Sequence, residues 1–186
     1  LQILDAGERE GMIFADVCVR NTGKTSGKEV VQIYVSCPQG KLEKEYRRLA
    51  GFAKTEELKP GETCRMTITF PVYQLASFCE ENAAWILEQG TYGIWVGNSI
   101  QDAELACSLC LNEDALLVQC EHICPLKEEL TELVPDREKM KAKEAAWLEL
   151  AAGLPSVQIY AEKIVKETVV YAELPKHFNG RAGEIV

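Results

Sequence analysis

The amino-acid sequence predicts a mainly β fold, an antiparallel β-sandwich of two stacked sheets with a C-terminal helical extension. Three observations predict it. Apolar residues recur with period two in several short segments before residue 118, and turn formers separate those segments. After residue 120 the composition shifts to Leu, Ala, Glu and Lys. The sandwich is therefore expected over residues 1–118, with residues 119–186 a helical extension or a linker toward a following domain.

The first clear strand is "IFADVCVR", where Ile13, Ala15, Val17 and Val19 share one face and Phe14, Asp16, Cys18 and Arg20 the other. It stops at "NTGKTSG", in which Asn and Gly tolerate positive φ. In "KEVVQIYVSC", Val31, Ile33 and Val35 are expected inward, Gln32 and Tyr34 outward. The stretch "LAGFAKTEELKPGET" is expected to hold two turns, at Gly51-Phe52 and Pro60-Gly61, framing a sheet edge. Leu49 and Phe52 then read as anchors at the end of a loop, and Leu58 as an inward residue.

"TCRMTITF" alternates again, with Cys64, Met66, Ile68 and Phe70 inward and Arg65, Thr67 and Thr69 outward. Residues 71–84 read as a connection of little periodicity. Gly90 and Gly97 bracket a strand with Tyr92, Ile94 and Val96 on one face and Trp95 on the other, and a last strand turns Leu105, Cys107, Leu109 and Leu111 inward. Beyond it, Pro135-Asp136 opens a helix that Gly153-Leu154-Pro155 closes. Met140, Trp147, Leu150 and Ala151, with Leu148 beside them, form a face that needs a partner, either the sandwich or another domain. The apolar stretch from residue 156 suits strand and helix equally.

Length and charge narrow the function classes. The 186 residues hold one ordinary domain and an appendage. A net charge of -9 and a pI near 4.9 argue against nucleic acid, which needs a clustered positive face. No apolar run reaches the roughly 20 residues that span a bilayer, and "LQILDAGERE" lacks the features of a secretion signal. It also lacks an initiator Met, so the chain is expected to be part of something larger. The eight cysteines (Cys18, Cys37, Cys64, Cys79, Cys107, Cys110, Cys120, Cys124) show no disulfide framework and are expected as free thiols in a cytoplasmic protein.

The ordered motifs Asn21-Thr22-Gly23, Gly27 with Glu29-Val30-Val31-Gln32 and Tyr34, Leu49 with Gly51-Phe52, Leu58 with Pro60-Gly61-Glu62, and Gly90-Thr91-Tyr92 with Val96-Gly97 carry a resemblance. Over about residues 15–105 the chain resembles the immunoglobulin-related, fibronectin type III-like domain of family 3 glycoside hydrolases, the β-glucosidase family. The resemblance implies that the nucleophilic aspartate lies on a barrel domain and the general acid on an α/β domain, both outside this sequence. It therefore implies a structural domain with no catalytic residue of its own. In many members this domain ends the polypeptide, whereas residues 119–186 follow it here; in members of permuted order such a tail is the bridge toward the barrel.

Chemical constellations in the sequence are sparse. Glycoside hydrolysis needs two carboxylates roughly 5 to 9.5 Å apart across a sugar, and Glu56-Glu57, Glu80-Glu81 and Glu128-Glu129 read as solvated surface charge. Cys107, Cys110, Cys120, His122 and Cys124 suggest a zinc tetrahedron, but residues three apart on a strand point to opposite faces. His122 and His177 are the only histidines, and no nucleophile motif accompanies them. No catalytic residue, metal or cofactor is expected. Tyr34, Trp85, Trp95 and Trp147 are the candidate contact residues, for a neighbouring domain or for glycan.

The expected function is a non-catalytic accessory domain that packs against and positions the barrel and α/β domains of a β-glucosidase-like enzyme. Neither nucleic acid nor membrane is expected as a partner. The alternatives are a carbohydrate-binding module using exposed aromatics and a generic interaction sandwich.

Overall fold

The computed structural model describes residues 1–121 and 134–165. In chain order the strands are β1 (Gln2–Arg9), β2 (Met12–Arg20), β3 (Val30–Ser36), β4 (Arg48–Lys54), β5 (Thr63–Pro71), β6 (Ser77–Cys79), β7 (Ala84–Leu87), β8 (Gly90–Gly97), β9 (Glu104–Leu111), β10 (Ala115–Gln119) and β11 (Ser156–Ile159). One α-helix, α1 (Arg137–Ala151), lies between β10 and β11. The strands form sheets of order β1-β2-β5, β11-β9-β8-β3-β4 and β10-β7-β6.

The core is filled by the predicted inward residues. Ile13, Ala15 and Val17 of β2, Val31, Ile33 and Val35 of β3, and Tyr92, Ile94 and Val96 of β8 are all 0% exposed, joined by Ile68 and Phe70 of β5. Each buried Val, Ile or Phe side chain among them contributes about 1.5–3 kcal/mol by leaving water. Tyr92 satisfies its buried hydroxyl by donating to the Glu88 carbonyl at 2.7 Å.

Asn21 ties the two turn motifs together. Its side-chain amide donates to the carbonyls of Leu58 (2.7 Å) and Thr25 (2.9 Å), and its carbonyl oxygen accepts from the Gly23 N–H at 2.9 Å. The Asn21 main-chain carbonyl accepts from Gly61 N at 2.8 Å, and Gly27 and Leu58 form an antiparallel bridge. Gly61 takes a φ of 81°, a conformation that glycine enters without steric cost.

Three expectations are corrected. Gly51-Phe52 is not a turn: Leu49 and Phe52 lie within the edge strand β4, 49% and 67% exposed. A bulge at Ala50 sets Leu49 opposite Tyr34 and Phe52 opposite Gln32, which puts both on the outer face, while Gly51 faces Phe70 and Ile68 inside. Leu105 does not point inward with Cys107. The register of β8 and β9 shifts at Ile94/Trp95, so Leu105 sits opposite Trp95 and packs on the outer face. Residues 71–84 are not featureless, because a 3-10 turn (Val72–Leu75) buries Val72 and Leu75 in the core and β6 begins the small third sheet.

Residues 134–165 are built into the sandwich. Asp136 caps α1, accepting from Glu138 N and Lys139 N at 3.1 Å each. Trp147 and Ala151 turn to the five-stranded sheet, Met140 is buried beside the loop of residues 39–43, and Glu144, on the same stripe, accepts from Gln39 N at 3.0 Å. Leu150, expected on that face, is 61% exposed because the stripe is only one residue wide. Of the ambiguous stretch from 156, Ser156–Ile159 form strand: β11 pairs in parallel with β9, from Ser156 opposite Ser108 to Ile159 opposite Leu111. Residues 161–165 are helical, and Ala161 and Ile164 join the core.

Trp147 is 3% exposed and anchors α1. Trp147→Ala is expected to lower stability by about 3–5 kcal/mol, measured as the free energy of urea unfolding followed by circular dichroism.

Candidate functional site

Strand parity placed Tyr34 and Trp95 outward, and they do leave the main core. They are nevertheless buried, at 8% and 5% exposure, because α1 covers them. With Ala103, Trp147 and Ala151 they form a second apolar cluster. Gly93 makes room for it: a Cβ there would sit 3.0 Å from Trp147 Cζ3. Trp95 Nε1 donates to Ser36 Oγ at 3.0 Å, and the Tyr34 hydroxyl donates to Gln32. The Arg47 guanidinium stacks 3.5 Å from the Trp95 ring centroid. Tyr34, Trp95 and Trp147 are thus packing residues, and an open platform of Tyr34 and Trp95 does not exist in this chain.

Trp85 is different, being 44% exposed. It meets Phe78 edge to face at 5.5 Å, and the register sets Phe78, Trp85 and Val118 opposite one another across β6, β7 and β10. Phe78 and Val118 are 40% and 37% exposed, which makes this an uncovered apolar row. A second uncovered apolar surface is the Leu49 and Phe52 flank of β4.

Glu56, Glu57, Glu80 and Glu81 are exposed, while Glu128 and Glu129 lie outside the described residues. Glu88, which sequence reasoning missed, is the one buried carboxylate among the described residues. It pairs with the buried ammonium of Lys44 and accepts from Lys41 N (2.6 Å) and Leu42 N (3.2 Å). Lys44 Nζ also donates to the Pro38 carbonyl at 2.8 Å. This pair folds the loop between β3 and β4 onto the end of β7, where Glu88, Lys41 and Leu42 line a cleft of about 540 Å³ together with Phe78, Glu80 and Asp114. Its partners are 44 positions apart, so no local signal marks it.

Arg48 joins the same region together. Burial would raise the Glu45 carboxyl, but the hydrogen bond from Arg48 holds it below the usual carboxylate range. Arg48 NH1 also donates to the carbonyls of Ala76 (2.8 Å) and Gln74 (3.2 Å), which ties β4 to the segment before β6.

Cys107 faces the core and Cys110 the opposite side, near Thr91 and Ser156. Among the described residues no three His, Cys, Asp or Glu side chains gather as metal ligands; His122, Cys124 and His177 lie outside them. Burial pushes the Cys37 thiol up to about 11 and the Cys107 thiol up to about 12.

Residues 29–100 match the family described as "Fibronectin type III-like domain". The chain is 47% identical over 97 residues to β-glucosidase A of Butyrivibrio fibrisolvens, covering 50% of this chain and 12% of that protein. It is 36% identical over 108 residues to a β-glucosidase of Ruminococcus albus, covering 55% and 11%. Among solved structures, a β-glucosidase from Paenibacillus barengoltzii superposes with a TM-score of 0.61 at 34% identity, covering 65% of this chain and 15% of that one. β-Glucosidase 3B from Thermotoga neapolitana superposes with a TM-score of 0.55 at 32% identity, covering 62% and 16%. The chain thus spans about a tenth of the length of the curated relatives it matches. Its sandwich segment matches the fibronectin type III-like family over residues 29–100 and is similar to part of several β-glucosidases.

Two outcomes follow. Lys44→Met strands the Glu88 carboxylate in the interior and is expected to cost about 3–5 kcal/mol, read from the urea midpoint and slope. An ordinary thiol ionises near 9, so above that pH the unfolded chain releases protons that folded Cys37 and Cys107 retain. Their contribution is complete below pH 9 and lost toward pH 11 to 12. The thermal midpoint is expected to fall across pH 9 to 11, less steeply in Cys107→Ala.

Proposed function

We propose that this chain is a non-catalytic accessory domain of a family 3 β-glucosidase-like enzyme, packing against and positioning that enzyme's catalytic domains. The observation that carries this reading is the state of the buried carboxylate. Glycoside hydrolysis needs an acid and a base or nucleophile facing one sugar. Glu88 instead faces Lys44 and two main-chain N–H groups, where it organises a loop. The exposed pairs Glu56-Glu57 and Glu80-Glu81 lack the shielding that separates the pKa values of a catalytic acid and base.

The sandwich supplies rigidity instead. Its core closes around side chains with no solvent exposure, and α1 and β11 extend the same unit. Uncovered apolar rows on a sandwich of this size mark surfaces that meet something else. Glycan binding through outward aromatics has less support, since α1 already covers Tyr34 and Trp95.

The test is direct. The purified chain is expected to release no nitrophenol from aryl β-glucosides, whereas the longer polypeptide encoded with it is expected to hydrolyse them. Steady turnover by the purified chain overturns the accessory reading, and an inactive longer polypeptide overturns the glycosidase parentage.

A further inference from the structure

The outer face of the five-stranded sheet carries an apolar row across β4, β3, β8 and β9 that is covered over only part of its length. Reading from the edge, the register aligns Leu49 of β4, Tyr34 of β3, Trp95 of β8 and Leu105 of β9. The Trp147 side chain of α1 and the Arg47 guanidinium cover Trp95 and Tyr34. Cover ends at β4, where Leu49 and Phe52 stand 49% and 67% exposed. Beside them lies a groove of about 280 Å³ lined by Leu49, Gly51, Phe52, Phe70, Pro71 and Gln74.

Charge distinguishes this flank. The protein carries a net charge of -9, yet Arg47 has no carboxylate partner among the described residues. Arg47 NH1 donates to the Ile100 carbonyl at 2.9 Å, and its Nε is buried without a hydrogen-bond partner. Lys143 adds a second cation, lying 4.3 Å from the centroid of the Tyr46 ring on which Arg47 also stacks. The nearby Glu45 is already taken by Arg48. An aromatic-stacked arginine beside exposed Leu and Phe has the composition of an interface hot spot that lacks its partner.

We propose that the Phe52, Leu49 and Arg47 flank of β4 docks a second domain of the same polypeptide, through a surface that offers an apolar side chain to the groove and a carboxylate to Arg47. The proposal rests on the accessory-domain reading. Its occupant follows from length and charge: in the Butyrivibrio relative about nine-tenths of the polypeptide lies outside the matched segment, and the flank complements an acidic surface. The Phe78, Trp85 and Val118 row sits beside Glu80 and Glu81 instead, and serves as the control surface.

The test compares Phe52→Ser, Leu49→Ser and Trp85→Ser in the 186-residue chain and in the longer polypeptide that contains it, by thermal unfolding and limited proteolysis. Phe52→Ser and Leu49→Ser are expected to leave the midpoint of the short chain within about 1 °C, as for surface changes away from packed features. In the longer polypeptide they are expected to lower it by several degrees and to speed proteolytic separation of this domain, with Trp85→Ser doing neither. Arg47→Lys, which keeps the charge but loses the planar two-pronged geometry and the stacking on Trp95, is expected to lower the midpoint of both proteins, and by more in the longer polypeptide. Equal losses in both proteins, no loss in the longer one, or an equal loss from Trp85→Ser overturns the proposal. Absence of β-glucosidase activity in the longer polypeptide overturns its parentage instead, and leaves the midpoint shifts to decide the interface.

Discussion

A sheet that is apolar on both faces must be covered on both, and this constraint organises the molecule. The inner face of β11-β9-β8-β3-β4 closes against β1-β2-β5 through Val31, Ile33, Val35, Ile94 and Val96. Its outer face carries Tyr34, Trp95 and Leu105, whose burial requires a second layer. The chain provides that layer by running from β9 through β10 and α1 back to β11, which joins β9 in parallel and leaves α1 over β8 and β9. Parallel neighbours need such a crossover, because a tight hairpin cannot reverse the chain twice. What α1 does not reach is the β4 flank, where Leu49 and Phe52 stand uncovered by the described residues.

Polar groups fix what apolar packing leaves free. Period-two burial specifies which residues face inward but says little about where long loops lie. Asn21 sets the loops at one end by donating to the carbonyls of Leu58 and Thr25, and the Lys44 and Glu88 pair sets the loop between β3 and β4. Replacing such a pair by matched apolar residues is often neutral, whereas removing one member leaves a buried charge. Its value here is positional: it holds Arg47 and Arg48 at the start of β4, where one stacks on Trp95 and the other braces the chain before β6.

Function is read from what these groups are doing. Carboxylates that act on a sugar must face it, and the one buried carboxylate among the described residues faces a lysine. The aromatic residues divide likewise into a buried set under α1 and an exposed set on the small sheet. Rigidity and uncovered apolar flanks are the observations on which the proposed accessory role rests.

The sequence by itself determined the strand faces, because a period of two depends only on neighbouring residues: Ile13 to Val19, Val31 to Val35 and Tyr92 to Val96 lie inside as their alternation requires. It also determined the Pro60-Gly61 turn and the ends of α1, which rest on local backbone chemistry. Only the tertiary structure decided that Leu105, Leu49 and Phe52 fall on the outer face, since bulges reset parity and arise from pairing between strands. It alone decided that Tyr34 and Trp95 are covered while Trp85 is not, and that Lys44 meets Glu88. Each of those outcomes is a contact between residues far apart in the chain, and a local pattern holds no information about which distant segment will arrive.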